Sequence, residues 1–300
     1  MTHFDLVASN QRKSFLILIA FMAFVVAVVY VMSIAFDFGP DMTVIAILAT
    51  SVSSIGSYWF SDKIVLAISG ARPATREEFF DFYTVAENLA MSQRMKTPKL
   101  YVIDDSAMNA FATGRDPEHA VICATTGILG RLQRAELEGV IAHELSHVKN
   151  NDILLMSIVS VLVGSLALLS DWMLRMTAWG GGRRKNENEG QIGMILFVVG
   201  ILLAILSPIV ATLIQLAISR RREFLADASG VAMTKNPSGL VRALQKISAD
   251  TEPLEAANKA TAHLYISDPL KNTKGGVSVF AGLFNTHPPV EERIKALESI

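Results

Sequence analysis

The 300-residue sequence predicts an α+β integral membrane protein that is mainly α-helical, with N-terminal transmembrane helices and a small β-sheet in its polar part. Hydrophobic residues make up 51% of the chain and charged residues 18%, which is more apolar than a soluble globular domain. The apolar residues are concentrated in long stretches, whereas the polar remainder shows helical and strand-like spacing.

Charge and cysteine content exclude several classes of protein. The 27 basic and 28 acidic residues leave a formal net charge of −1, which argues against a nucleic-acid partner and against intrinsic disorder. The single cysteine, Cys123, excludes an intramolecular disulfide and a cysteine-based zinc ribbon. A metal site in this chain would therefore use histidine, aspartate or glutamate.

Two apolar stretches near the N-terminus predict transmembrane helices. Phe15–Phe36 and Met42–Phe60 contain no charged residue, and about 20 helical residues cross the hydrocarbon core. Arg12 and Lys13 precede the first stretch, so the positive-inside rule places the N-terminus in the cytoplasm. A cleaved signal peptide is the alternative, but its apolar region would be only about 7–15 residues long.

Two further stretches, Ile153–Ser170 and Ile192–Ser219, are also free of charged residues. The loop between them carries several basic residues, which would lie outside the cell if both stretches crossed the bilayer. These stretches therefore predict either two transmembrane helices or a hairpin that does not fully cross.

The apolar stretches divide the chain into four parts. Two of these parts are embedded in the membrane, and two are polar and face water. In order, they are a membrane anchor (1–70), a polar core (71–152), the second apolar pair (153–219) and a polar C-terminal part (220–300).

Local patterns predict the elements of the polar core. A capping box at Thr75 and Glu78 starts a helix that is expected to continue to about Met95. A short β-prone run at 100–103 follows, and the segments 110–113 and 120–125 flank turn-forming residues and predict a hairpin.

The next helix carries the chemistry. His143 and His147 are four residues apart and stack on one face, so both imidazoles can reach one Zn²⁺. Glu144 is rotated by about 100° and can address a bound water. Gly139, one turn before His143, is expected to leave room for substrate or metal.

A catalytic zinc site needs a third protein ligand. The candidates are Asp152, Glu223, Asp227, His263 and His287. Glu223 and Asp227 share one face of a predicted helix, so one can bind the metal while the other supports a ligand histidine. Alternatively, both carboxylates neutralise the basic run 220–222. If Glu223 and His143 share a metal, the intervening chain crosses the membrane an even number of times.

Four strings together resemble the HtpX family of membrane zinc metalloproteases. They are Asn109–Gly114, His143–Asp152, Ser219–Asp227 and Thr286–Arg293. The resemblance covers nearly the whole chain. It implies a gluzincin-like metalloprotease domain and a cytoplasmic active site.

The resemblance also implies roles for individual residues. His143, His147 and Glu223 would bind one Zn²⁺ per chain, with Glu144 as the catalytic base. Asp227 would support a ligand from behind. Asn150 and Asp152 would support the ligand helix, with helix capping as the alternative for either.

Two further regions have implied roles at the substrate. Asn109 and Ala110 lie in the segment that holds an extended peptide at a sheet edge, unless Asn109 only closes a turn. His287 or Arg293 would donate to the developing oxyanion. The alternative is that this stretch only marks the start of the last helix.

The implied function is zinc-dependent cleavage of misfolded or damaged membrane proteins on the cytoplasmic side, in membrane protein quality control and stress response. The chain would be a multi-pass protein of a bacterial or archaeal cell membrane whose partners are the lipid bilayer and unfolded membrane-protein substrates. Two alternatives are a non-catalytic membrane scaffold and a protease that processes prenylated CAAX termini. Glu144 argues against the first, and the chain length argues against the second.

Overall fold

The computed structural model describes residues 41–158, 220–256, 261–269 and 288–300, with scattered positions outside these ranges. In chain order the elements are α1 (Asp41–Ile68), β1 (Arg72–Pro73), α2 (Phe80–Ser92), β2 (Lys99–Ile103), β3 (Ala110–Thr113), β4 (Val121–Thr125), α3 (Thr126–Arg131), α4 (Arg134–Lys149), α5 (Arg220–Thr234), α6 (Pro237–Ala249) and α7 (Val290–Glu298). Short 3-10 turns occur at Pro117–His119 and Ala262–Leu264. Residues 152–158 are also helical.

Most of the predicted membrane-embedded sequence lies outside the described residues. This applies to nearly all of 15–36, 159–170 and 192–219, whereas α1 contains the predicted span 42–60. Within the described ranges, no helix meets the combined length and hydropathy that crossing a bilayer requires.

The four strands form a mixed sheet in the order β1-β2-β4-β3. β3 and β4 pair antiparallel, with Ala110 opposite Ala124 and Thr113 opposite Val121, so the predicted hairpin is confirmed. β2 runs parallel to β4, and β1 pairs antiparallel with β2. As a result, β3 lies at one edge of the sheet.

Helix α2 begins later than the sequence predicts. Thr75 Oγ1 accepts a hydrogen bond from the Glu78 backbone N–H at 3.3 Å, as a cap would. The Glu78 carboxylate, however, pairs with Arg72 at 2.6 Å instead of reaching back to complete the capping box. The residues around Glu78 therefore form a turn, and the helix starts at Phe80.

The core lies around α4, which packs against α2, α5 and α6 and against β3. Its buried apolar side chains come from both polar parts of the chain, and they include Phe82, Ile122, Val140, Leu240 and Leu297. The residues before and after the second apolar pair therefore share one hydrophobic core.

Gly139 has a different role from the one expected from the sequence. A Cβ atom at this position would lie 2.7 Å from the backbone nitrogen and 2.8 Å from the Cα of Leu240 in α6. The missing side chain therefore allows close contact between α4 and α6, and the expectation of room for substrate or metal was wrong. The contact is with backbone atoms, which cannot rotate away.

Gly139→Ala is expected to destabilise the protein by about 1–3 kcal/mol, because the added methyl group forces two packed helices apart. The measurement is the midpoint of thermal unfolding of the detergent-purified chain. Gly130→Ala in α3 is the matched control, since a Cβ there meets nothing within 4 Å. Equal midpoints for the two variants would contradict the packing role of Gly139.

Candidate metal centre

The two histidines of α4 face the same point. Their Nε2 atoms are 3.3 Å apart, and the ring planes are nearly perpendicular, with centroids 4.8 Å apart. Both side chains are buried. Helical spacing thus brings His143 and His147 together, as the sequence predicted.

Glu223 on α5 completes a three-residue group. Its Oε2 lies 3.7 Å from His143 Nε2, and its Oε1 lies 3.6 Å from His147 Nε2. Among the described residues, these three offer ligand atoms that all lie within 4.8 Å of one another. Glu223 itself is fully buried.

The two histidine nitrogens have the spacing of ligands to one tetrahedral cation. Zinc binds imidazole nitrogen and carboxylate oxygen at about 2.0–2.2 Å, which puts two tetrahedral ligands about 3.3–3.6 Å apart. The two histidine nitrogens are 3.3 Å apart, and each lies 3.6–3.7 Å from a different oxygen of Glu223, so one atom from each of the three side chains falls within 4.8 Å of the others. Two imidazoles and one carboxylate also leave a fourth position for water or substrate.

A buried ion pair supports His143 from behind. Asp227 Oδ1 lies 2.9 Å from His143 Nδ1, and Arg293 donates to both Asp227 oxygens at 2.7 and 2.9 Å. Burial favours the neutral imidazole and lowers the pKa of His143 to about 4. Burial alone would raise the pKa of Asp227, but Arg293 and His143 outweigh it and bring that pKa to about 2.

His147 has a matching support. Its Nδ1 lies 3.0 Å from Asp152 Oδ2, and Arg222 donates to the other oxygen of Asp152 at 3.3 Å. Burial lowers the pKa of His147, but the hydrogen bond with Asp152 and the charge of Glu223 outweigh it and raise that pKa to about 9. A bound cation would therefore displace a proton from this imidazole.

Glu144 lies on the same helix and is 2% exposed. Burial disfavours its charged form and raises its pKa to about 7, although the charges of His147 and Arg293 oppose this shift. A carboxyl group with a pKa near neutral can both accept and release a proton at neutral pH.

The remaining predicted site residues lie on several different elements. Asn109 and Ala110 lie at the start of β3, and Asn150 caps the C-terminus of α4. Arg293 is fully buried on the Nδ1 side of His143, behind the ring as seen from the Nε2 atoms. Its predicted contact with an oxyanion stays a prediction. His287 lies outside the described residues.

Sequence reasoning missed two positions that shape the site. Arg222 was weighed only as a charge at the membrane surface, yet it is buried against Asp152. Gly230 allows α5 to approach the ligand helix, because a Cβ there would lie 3.1 Å from the His143 backbone nitrogen. Helical spacing could have revealed Gly230, which is one turn beyond Asp227, whereas Arg222 contacts a residue 70 positions away and no local pattern shows that contact. His263, also weighed as a ligand, instead lies 3.1 Å from the Met156 carbonyl oxygen.

The chain is similar to several known proteins. The family described as Peptidase family M48 matches residues 80–300. A protein of Caldanaerobacter subterraneus subsp. tengcongensis described as "Protease HtpX homolog" is 44% identical over 300 residues, covering 100% of this chain and 98% of that protein. One of Thermoanaerobacter pseudethanolicus with the same description is 42% identical over 303 residues, again covering 100% and 98%. The crystal structure of S. mikatae Ste24p aligns with 98% of this chain and 67% of its own, at 18% identity and a TM-score of 0.48.

The family match, the paired histidines and the later glutamate define a metalloprotease of peptidase family M48. Relatives that are similar over the full length narrow this class further. The chain belongs to the HtpX family, and the resemblance inferred from its motifs is confirmed.

The two supporting carboxylates yield a prediction about metal affinity. Asp227→Asn and Asp152→Asn should each weaken zinc binding roughly tenfold or more, because the ligand imidazoles lose the charged partner that orients them. The measurement is a zinc titration of the purified chain in competition with a chelating dye. Asp104→Asn is the control, since Asp104 is an exposed partner of Arg72. Unchanged affinity in both site variants would contradict the supporting role.

Proposed function

We propose that this metalloprotease is a zinc-dependent endopeptidase of the cell membrane that hydrolyses misfolded or damaged membrane proteins on the cytoplasmic side. The observation that carries the zinc assignment is the convergence of one ligand atom each from His143, His147 and Glu223 within 4.8 Å of one another, with Glu144 buried on the same helix. The proposed role is membrane protein quality control under stress, in line with the family similarity.

In this mechanism His143, His147 and Glu223 hold the metal. A bound Zn²⁺ supplies Lewis-acid chemistry, polarising the scissile carbonyl and making water a stronger acid. Glu144 accepts the proton of the attacking water at its carboxyl group and then delivers it to the leaving amine. Its pKa of about 7 suits both transfers.

The substrate is proposed to bind as an extended chain along β3. Asn109 directly precedes this edge strand, Ala110 begins it, and the strand packs against the ligand helix α4. An added strand is held mainly through its backbone, so recognition depends weakly on sequence. Such binding suits a protease that acts on many unfolded segments.

The membrane proposal rests on the apolar stretches and on the exposed surface of α1. Val44, Leu48 and Val52 are spaced by one turn and are 56%, 61% and 70% exposed. Trp59 and Phe60 follow and are also more than half exposed. A row of exposed large apolar side chains is unfavourable in water and favourable in lipid, and an aromatic pair suits the bilayer interface.

The catalytic assignment is tested with metal-dependent cleavage of unfolded casein by the detergent-purified chain. Glu144→Gln should bind zinc with unchanged affinity and lose activity at least 100-fold, because it removes the proton acceptor but no ligand. Glu223→Ala should lose both zinc and activity. Glu138→Gln is the control, since Glu138 is a partly exposed carboxylate on the same helix. Near-normal turnover by Glu144→Gln would refute the assignment.

The cytoplasmic orientation is tested by cysteine labelling in intact cells with a membrane-impermeant maleimide. Glu118→Cys should be labelled only after the membrane is opened, because its side chain is exposed and its domain is proposed to face the cytoplasm. Asp37→Cys, in the loop between the first two apolar stretches, should be labelled in intact cells.

The native protein supplies the background for this experiment. Its only cysteine, Cys123, is fully buried and should stay unlabelled in both conditions. Labelling of Glu118→Cys in intact cells would contradict the proposed orientation.

A further inference from the structure

The edge strand β3 is covered by another part of the chain. Asn109 accepts a backbone hydrogen bond from Thr125 of β4, which is the hydrogen-bonded pair at the start of this ladder. Because antiparallel pairs alternate, the backbone groups of Ala110 and Ala112 point away from β4 toward the outer edge. All four residues of β3 are nevertheless buried.

The cover is the segment Tyr265–Ser267, here called the strap. The Ile266 N–H donates to the Ala110 carbonyl oxygen at 2.9 Å. The Asn109 amide bonds to Ser267 in both directions, donating to its carbonyl at 3.0 Å and accepting from its N–H at 3.4 Å. The strap therefore occupies the outer edge of β3 through one backbone–backbone hydrogen bond and two bonds to the Asn109 side chain.

A third contact links the strap to the metal centre. Arg293 Nη1 donates to the Ile266 carbonyl oxygen at 3.0 Å, while the same guanidinium holds Asp227 behind His143. Ile266 is 1% exposed, and the Tyr265 ring packs edge-on against Phe111 of β3 at 5.1 Å. The strap is thus fixed beside the catalytic helix, with both polar groups of the Ile266 backbone satisfied.

The chain that precedes the strap is tied to the same loop as the start of β3. Asp105 accepts from the backbone N–H groups of Glu255 and Ala256 at 2.9 and 3.3 Å. Asp250 accepts from the Met108 N–H at 2.7 Å. These bonds keep the strap close to the edge strand even when its own pairing is broken.

An extended peptide that adds to β3 needs the outward backbone groups of the strand. The Ala110 carbonyl and the Asn109 amide are the groups that the strap uses, so strap and peptide cannot pair with this edge together. We propose that the strap is an internal, autoinhibitory strand that an extended substrate must displace before cleavage. This inference rests on the proposed binding of substrate along β3.

The test is a variant that removes the strap's backbone donor but keeps the Ile266 carbonyl that Arg293 contacts. Ile266→Pro removes the N–H that donates to Ala110, and Tyr265 already has the extended backbone that precedes proline (φ −71°, ψ 146°). The zinc-loaded full-length variant should cleave unfolded casein with a kcat/KM about fivefold above that of the native chain, as loss of one net hydrogen bond implies. Ile266→Val keeps the N–H and should match the native chain.

A folded Ile266→Pro variant with equal or lower kcat/KM would overturn the proposal.

If that variant does not fold, hydrogen exchange on the zinc-loaded Glu144→Gln protein decides. Oxidised insulin B chain, added at a concentration that saturates cleavage by the native chain, should reduce the protection of the Ile266 amide. The amide of Val102, in the sheet interior, serves as the control. Unchanged protection at Ile266 would also overturn the proposal.

Failure of the strap and failure of the proposed function give different results. If the function fails, neither the native chain nor Ile266→Pro cleaves casein in the presence of zinc. If only the strap fails, the native chain cleaves and removal of the Ile266 N–H brings no gain. In that case Tyr265–Ser267 is a permanent part of the sheet.

Discussion

The buried ion pair between Asp227 and Arg293 is the interaction on which the rest of the site depends. It joins α5 to α7 and lies directly behind His143 on α4, so three helices meet at one fully buried guanidinium. Breaking a buried pair by removing one partner costs about 3–5 kcal/mol, because an uncompensated charge remains in the interior. The position of His143 is therefore coupled to the packing of the whole C-terminal part.

A second buried pair, Asp152 with Arg222, supports His147 as Asp227 and Arg293 support His143. It also constrains the path of the chain. These residues lie just before and just after the long apolar region, and their contact brings the two ends of that region together. The even number of membrane crossings expected from the sequence is consistent with this meeting.

Local patterns in the sequence predicted the parts that depend on local physics. The spacing of His143 and His147, the shared helix of Glu223 and Asp227 and the hairpin of β3 and β4 follow from helix and turn geometry, and the structure contains all three arrangements. Gly139 was misjudged because its neighbour, Leu240, is about 100 residues away and only tertiary packing brings them together. The same limit applies to the strap, since no local pattern shows which strand Ile266 contacts.

The strap also answers a difficulty that any peptide-binding sheet edge creates. The outward N–H and C=O groups of β3 must be available to a substrate, yet an open edge invites pairing with other chains, and a buried polar group without a partner is costly. Here the Ala110 carbonyl pairs with the Ile266 N–H, so its exchangeable partner belongs to the chain itself. An arriving peptide thus replaces existing hydrogen bonds. The affinity of the peptide depends on how much more strongly it binds the edge of β3 than the strap does. This favours long unfolded segments, which make further contacts beyond Ala110.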